Sequence, residues 1–147
     1  MRKFVFSLET LLRHRQYLEE RERERLAWIH YRLENEHRFL QDLRGRHAGV
    51  REELARQRLP DYDPPEVGWY CAYLNRLDHE MEQADGRIQS LRRELEQQMA
   101  LWVERSRDKK VLENLRGRRE HEHLTAAEKL EQKAVDEMVV TRFAGRK

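Results

Sequence analysis

The sequence predicts an all-α protein, with two long helices folded on each other as an antiparallel coiled-coil hairpin. Charged residues make up 39% of the 147 residues and hydrophobic residues only 38%, with six Gly and three Pro. Globular domains usually contain roughly 45 to 50% apolar residues, whereas a two-helix seam needs them at about two positions in seven. Apolar residues repeat at steps of three and four on both sides of one Pro-rich segment. Together these observations favour two paired helices over a compact globule.

Disorder is the alternative that so polar a chain raises. The net charge is only +2, and the chain contains three Trp, four Phe and five Tyr. Disordered chains combine a high net charge with few aromatic residues. The composition therefore argues for a folded protein.

All three prolines fall between Leu59 and Glu66. Proline lacks the backbone donor and biases the residue before it away from the helical conformation. One break predicts two helices: helix 1 at about 4–57, a Pro-rich turn at about 59–65 and helix 2 at about 65–142. Asp63 and Glu66 have the spacing of an N-terminal capping box for helix 2.

Each predicted helix has one apolar seam. The stretch Glu19–Arg25 reads EERERER and interrupts the seam of helix 1, which predicts a stutter where the helices bend or make outward contacts. The seam positions are Leu8, Leu11, Arg15, Leu18, Glu22, Leu26, Ile29, Leu33, Glu36, Leu40, Leu43, His47, Val50 and Leu54 in helix 1. Those of helix 2 are Val67, Tyr70, Leu74, Leu77, Met81, Ala84, Ile88, Leu91, Leu95, Gln98 and Trp102.

A short connection makes the helices antiparallel, and folding about a turn near Tyr62 pairs residue i with a residue near position 124 minus i. Residues after about His121 then have no partner in the chain, although an apolar stripe continues through Leu124, Ala127, Leu130, Ala134 and Met138. The same relation gathers Arg and Lys residues from both chain ends into a basic collar. Such a collar is suited to an acidic partner, and a solvated face is the alternative. Its members are Arg2, Lys3, Arg13, His14, Arg15, Arg105, Arg107, Lys109, Lys110, Arg116, Arg118 and Arg119.

No catalytic, metal or cofactor site is predicted. His121 and His123 are two residues apart and point to different sides of a helix, whereas a site on one helix needs a spacing of three or four. The single cysteine, Cys71, suits a reducing compartment. Arg2 and Lys3 give the chain a basic start, but Glu9 and Thr10 interrupt the apolar stretch that follows, so the N-terminus does not resemble a secretory signal. No apolar run approaches the roughly 18 residues of a membrane span, so any membrane role is expected to go through a partner.

Trp69 and Tyr73 lie four residues apart beside the seam at the start of helix 2. With Leu77 they are predicted to form a patch for a second partner, because exposed aromatic pairs often anchor interfaces. The alternative is that they cover the closed end of the hairpin. Trp28 and Tyr31, which lie outside the seam of helix 1, could likewise either bind a partner or have a structural role.

Three stretches of the sequence together resemble the FliJ family of flagellar type III export proteins. Phe4, Phe6, Leu8-Glu9, Leu11-Leu12 and Arg15 are similar to its F-x-F-x-L-E-x-L-L-x-x-R opening. Trp102, Lys109-Lys110, Leu112-Glu113 and Leu115 resemble a later Trp, Lys and Leu stretch, and Gln132-Lys133 with Asp136-Glu137 match its closing Q-K-x-x-D-E segment. The order, the spacing and the total length of these stretches agree with the family.

The resemblance implies a non-enzymatic, cytoplasmic coiled coil, without a cofactor, at the periphery of the inner-membrane export apparatus. Its expected partners are the hexameric export ATPase FliI with FliH, the export gate protein FlhA and substrate chaperones. The chain-terminal end is expected to enter the ATPase ring. The expected contact residues there are Phe4, Phe6, Leu8, Leu12, Arg15, Arg116, Arg118, Arg119, Leu124, Leu130, Lys133, Asp136, Glu137 and Met138.

Two other functions fit parts of the sequence. One is the equivalent stalk of a virulence type III secretion system, although the opening with Phe4 and Phe6 favours the flagellar branch. The other is nucleic-acid binding by the basic collar, with an affinity that falls steeply with salt. Asp108 and Glu113 within the basic stretch, and its few aromatic residues, argue against nucleic acid as a partner.

Overall fold

The computed structural model describes residues 2–56 and 64–145. Over these residues the protein consists of two α-helices, α1 (Glu9–Arg56) and α2 (Pro64–Ala144), and contains no strand. The two helices pack against each other, which confirms the predicted all-α hairpin. Contacts divide the chain into two compact units, which we call the central unit (Glu22–Trp102) and the terminal unit (Met1–Arg21 with Val103–Lys147).

The central unit has a regular apolar seam. Leu43 and Leu77 are its most completely buried large side chains, and Leu40 packs with Ala84 and Ile88. Every seam position predicted between Leu26 and Trp102 that the structure describes is buried or half-buried. The pattern of three and four steps therefore identified this core correctly.

The helix register in the central unit follows the predicted antiparallel relation. Arg87 Nε lies 3.0 Å from Glu36 Oε1, and His47 Nε2 lies 2.9 Å from Asp78 Oδ1. Both pairs obey the sequence relation of about 124 minus i. The hairpin geometry was thus available from the position of the prolines alone.

The closed end of the hairpin falls largely outside the described residues. The predicted cap Asp63 and most of the Pro-rich turn at about 59–65 lie among residues 57–63, which are not described. Helix α2 begins at Pro64, and Pro65 follows in its first turn. Proline fits there because the first N–H groups of a helix have no partner within it.

In the terminal unit, α1 begins at Glu9 and not at about Phe4 as predicted. The Glu9 amide donates to the Phe6 carbonyl at 3.1 Å, so the chain turns just before the helix starts. Leu12 is buried, whereas Leu11, which the seam prediction placed inside, is 40% exposed. Leu12 lies on the face of α1 that continues in steps of three and four through Arg15 and Glu19, which are also buried or half-buried.

The apolar content of the two helices does not reach that of a membrane span. Among residues 2–56 and 64–145, no helix has a stretch long and apolar enough to cross a bilayer.

Candidate partner-binding surfaces

The N-terminal segment, residues 2–8, packs on α2 within the terminal unit. Phe6 is 5% exposed and forms a small core with Leu12 and Leu112. Phe4 and Leu8 are half-buried at the edge of this core, whereas Val5 between them is 80% exposed. Residues 4 to 8 therefore alternate between inside and outside, with both Phe side chains on the inner side. Phe6 and Leu12, both expected at a partner surface, are instead interior residues.

Two arginines of α2 fasten this segment. Arg116 Nε donates to Glu9 Oε2 at 3.1 Å, and its guanidinium lies 5.7 Å from the centre of the Phe4 ring. Arg119 donates to Ser7 Oγ at 3.0 Å and lies 5.8 Å from the Phe6 ring. Such cation and ring contacts stabilise by about 0.5 to 1 kcal/mol at exposed sites. These two collar residues thus make contacts within the chain.

His123 completes the attachment of the segment. Its Nε2 lies 2.9 Å from the carbonyl oxygen of Arg2, and its ring centre is 5.6 Å from that of Phe4. A carbonyl oxygen can only accept, so Nε2 is the protonated nitrogen in this contact. The pairing of the chain ends therefore extends to His123, two residues beyond the predicted limit at about His121.

Further collar residues are occupied inside the terminal unit. Lys109 Nζ lies 3.5 Å from the carboxylate of Glu19, which is 3% exposed. Arg15 donates to the backbone carbonyl of Asp108 at 2.9 Å. In contrast, Arg107, Lys110 and Arg118 are exposed. The collar therefore consists of residues that hold the hairpin together and residues that face solvent.

The charged stretch Glu19–Arg25 also turns inward in part. In the central unit Glu22 is 4% exposed and accepts a hydrogen bond from Gln98 Nε2 at 2.5 Å, while Arg25 lies 3.4 Å from its other oxygen. Glu22 thus occupies its predicted seam position. The burial of Glu19 three residues before it continues the steps of three and four to Leu26, so the predicted stutter is wrong. The expectation of outward contacts is wrong for Glu19 and Glu22, because their carboxylates have partners within the hairpin.

Beyond His123, α2 continues as a segment that we call the overhang, Leu124–Ala144. Every residue from 128 to 145 is exposed, including Leu130 (69%) and Met138 (60%). The predicted contact residues Lys133, Asp136 and Glu137 lie on this exposed helix. Sequence reasoning missed four further exposed apolar side chains, although steps of three and four residues along the helix were visible among them: Val135, Val139, Val140 and Phe143.

An apolar groove marks the base of the overhang. Its volume is about 470 Å³, and it is lined by Ala126, Ala127, Leu130 and Ala134 together with Arg2, His123 and Glu131. The groove continues the helix face that N-terminal residues cover further back, so it is a place where a second apolar element can pack.

A separate aromatic patch lies at the start of α2 in the central unit. Trp69 is 61% exposed, its ring stacks on Tyr73 at 5.6 Å and meets Tyr70 edge-on at 5.2 Å. Desolvation, then the charge of Glu66, raise the pKa of Tyr70 above its usual value, so this hydroxyl stays protonated. Leu77, which was assigned to the same patch, is 2% exposed and belongs to the seam.

Trp28 and Tyr31 form a comparable pair on α1. Their rings stack at 5.6 Å, and the residues are 59% and 55% exposed. The two pairs match in composition, stacking distance and the exposure of their tryptophans, whereas Tyr73 is half-buried and Tyr31 is exposed. The pair on α1 is therefore a natural control for experiments on Trp69 and Tyr73.

The part of the chain that the structure describes contains no cluster of metal-binding side chains. No group of three or more His, Cys, Asp or Glu residues there could hold an ion. Cys71 is exposed and unpaired with another cysteine.

Comparison of the sequence with known protein families gives a match to a family model. The family model described as flagellar FliJ protein matches residues 4–147. The match includes the N-terminal segment, both helices and the overhang. No curated protein and no solved structure matches the chain.

Proposed function

Because the chain belongs to the FliJ family of flagellar export proteins, we propose that it is a non-enzymatic stalk that binds the hexameric export ATPase FliI through its terminal unit. One observation supports this assignment above the others: the overhang remains helical to Ala144 although every residue from 128 to 145 is exposed. An isolated helix of this length is marginal in water, and most helices depend on packing. A partner that surrounds the overhang supplies that packing.

The apolar side chains of the overhang give the binding free energy in this proposal. Leu130, Met138 and Phe143 are 69%, 60% and 81% exposed. Fully burying such a side chain contributes about 1.5 to 3 kcal/mol. These three residues alone would only offset a low estimate of the cost of association, about 4 to 15 kcal/mol or more, so the proposal also needs burial of the other exposed apolar side chains of the overhang, such as Val135 and Val139.

The overhang is tested by charge substitution in full-length protein. Leu130→Asp with Met138→Asp removes the apolar contact without disturbing the hairpin, since both residues are exposed. We expect loss of FliI binding and of its stimulation. Met99→Asp, at a 45% exposed position in the central unit, is the matched control and should bind normally. Normal binding by the double variant would exclude the overhang as the FliI contact.

Truncation gives an independent test of the same contact. A chain that ends after His123 keeps the contacts of His123 with Arg2 and Phe4. We expect it to remain folded, with a helical circular dichroism spectrum, but to stop stimulating FliI. A truncated chain that stimulates FliI normally would move the contact to the closed end of the hairpin.

The exposed aromatic patch is proposed as the contact with the export gate protein FlhA. Trp69 and Tyr73 form a rigid stacked surface, and aromatic residues of this kind are frequent binding hot spots. Replacing both with Ala should weaken FlhA binding with little change in melting temperature. The equivalent Trp28→Ala and Tyr31→Ala variant should bind FlhA normally. A large fall in melting temperature in the first variant alone would favour a structural role.

The family also extends the proposal to FliH, which accompanies FliI, and to substrate chaperones that the protein escorts at the inner-membrane export apparatus. Co-purification of the full-length chain with each of these proteins tests the wider assembly. A virulence-system stalk is the second candidate, but the match to the flagellar model over residues 4–147 favours the flagellar assignment.

A further inference from the structure

A small cavity lies between α1 and α2 in the terminal unit, and we call it the arginine cavity. Its volume is about 230 Å³. The residues that line it are Leu11, His14, Arg15, Leu18, Arg105 and Asp108. A water molecule takes about 30 Å³ of liquid volume, so the cavity has room for a small ion as well as for water.

The guanidinium of Arg105 has no partner within the described chain. No described residue forms a hydrogen bond or a salt bridge with it, and its Nε is buried without an acceptor. Arginine has five N–H donors and no acceptor. A buried donor that has lost water and gained no acceptor costs free energy. The group that relieves this cost must accept hydrogen bonds, and a negatively charged acceptor pairs with a guanidinium most strongly.

The carboxylates of this region do not neutralise Arg105. Glu9 pairs with Arg116, and Glu19 pairs with Lys109. The exposed carboxylates nearby do not line the cavity: Glu20, Glu104 and Glu113. The positive charge at the cavity is therefore opposed only by a carboxylate of its own wall.

That carboxylate belongs to Asp108 and sets a second requirement for an occupant. The backbone carbonyl of Asp108 accepts from Arg15 at 2.9 Å. Its half-buried carboxylate has no hydrogen bond or salt bridge with any described residue. An ionised carboxylate only accepts hydrogen bonds. Two arginines against one carboxylate attract an anion, and Asp108 requires that this anion also donate a proton in a hydrogen bond.

We propose that the arginine cavity is a binding site for inorganic phosphate. Near neutral pH this anion keeps at least one proton, so it can accept from Arg105 and donate its P–OH to Asp108. The planar guanidinium suits an oxyanion because two parallel N–H groups match two of its oxygens. This site goes beyond the proposed FliI contact of the overhang. Arg15, which was expected at that contact, lies instead on the cavity wall.

Phosphate fits the wall of the cavity better than other small anions. Sulfate and acetate carry no proton near neutral pH, so each would place a further acceptor beside the Asp108 carboxylate. Water meets both hydrogen-bond requirements but carries no charge to balance the second arginine. The proposal therefore predicts a selectivity among anions and not merely an attraction to negative charge.

The test is an NMR titration of the full-length protein with inorganic phosphate, sulfate and acetate, at neutral pH and one ionic strength. We expect phosphate to bind at least about tenfold more tightly than the other two, because one hydrogen bond to a charged group corresponds to that factor. Phosphate should shift the amide signals of residues 11–18 and 105–108. Failure to bind phosphate, equal affinity for the three anions, or shifts only elsewhere in the chain would overturn the proposal.

Two conservative variants test the roles of the wall residues. Arg105→Lys keeps the positive charge but loses the planar pair of donors, and it should weaken phosphate binding about tenfold. Arg107→Lys, at an exposed neighbour, is the matched control and should bind phosphate as the wild type does. Asp108→Asn adds a donor, so sulfate should then bind as tightly as phosphate.

Circular dichroism of each variant establishes that the helices are retained. Unchanged phosphate affinity in Arg105→Lys, or a retained preference over sulfate in Asp108→Asn, would overturn the proposal. If either variant unfolds, the anion selectivity of the wild-type protein decides the question. FliI binding is measured separately, and its outcome bears on the overhang and not on the arginine cavity.

Discussion

The central and terminal units of this hairpin use their side chains differently. In the central unit, Ile29, Leu43 and Leu77 are among seven buried apolar residues on an uninterrupted seam, the others being Leu40, Ala84, Ile88 and Leu91. Among the described residues of the terminal unit, the buried apolar side chains are Phe6, Leu12 and Leu112. Much of its packing comes instead from charge pairs and from arginines over aromatic rings.

Because of this difference, we expect the central unit to supply most of the stability of the hairpin and the terminal unit to supply the surfaces that bind partners. Apolar burial in the central unit makes the hairpin stable in its own right, because burial contributes about 25 cal/mol per Å² of apolar surface. The terminal unit leaves apolar and cationic side chains in water, including Leu130, Phe143, Arg107 and Lys110. A unit with exposed apolar residues of this kind is suited to a partner.

The largest effect is expected from a charge placed in the central seam. Leu40→Asp or Leu91→Asp puts an unpaired carboxylate among apolar neighbours and should lower the free energy of unfolding by about 4 kcal/mol. Leu130→Asp, the same substitution at an exposed overhang position, should change it by less than about 0.5 kcal/mol. Urea denaturation followed by circular dichroism measures both. Equal effects in the two places would contradict the division between the units.

Truncation of the N-terminal core should have the next largest effect. Phe6→Ala removes a ring that is 5% exposed and should cost about 3 kcal/mol. Val5→Ala, at an 80% exposed neighbour, serves as the control and should be nearly neutral. If Phe6→Ala loses hydrogen-exchange protection only in the terminal unit, the N-terminal core stabilises that unit and not the central one. Unchanged stability would mean that residues 2–8 are not attached as described.

A smaller effect is expected from the charge pair of the terminal unit. Lys109→Ala removes the cation 3.5 Å from the buried Glu19 carboxylate and should cost about 1 to 3 kcal/mol. Lys110→Ala, one residue away and exposed, should change the free energy of unfolding by less than about 0.5 kcal/mol. Thermal melts of both variants at one salt concentration distinguish them. If Lys109→Ala has the same melting temperature as the wild type, the salt bridge between Lys109 and Glu19 has no structural role.

The sequence predicted the central unit better than the terminal one for a physical reason. Apolar periodicity reports burial directly, so residues such as Leu43 and Ile88 were assigned correctly from spacing alone. The start of α1 depended on the turn before Glu9, a local hydrogen bond that hydrophobic pattern does not encode. Leu12 is buried in place of Leu11 because the buried face of α1 runs through Glu19, a charged residue that an apolar pattern does not place inside.

Charged residues were the least predictable part of the candidate surfaces. Arg116, Arg118 and Arg119 are adjacent and chemically alike in the sequence. In the structure Arg116 and Arg119 fasten the N-terminal segment while Arg118 is exposed. Whether a given arginine makes a contact within the fold depends on the positions of Glu9, Ser7 and the Phe rings. These positions are known only from the structure.

The smallest expected effect tests whether the two units unfold together. Gly86 in the central unit and Gly117 in the terminal unit are both helical, and a methyl group added at either would meet nothing within 4 Å. Alanine should therefore raise the local helix stability by about 0.5 to 1 kcal/mol at each position. If the hairpin unfolds in one step, both variants should gain equally in global urea denaturation. If the terminal unit opens first, Gly86→Ala should raise the global stability while Gly117→Ala raises only hydrogen-exchange protection near residue 117. A loss of stability in either variant would contradict the open space around these two glycines.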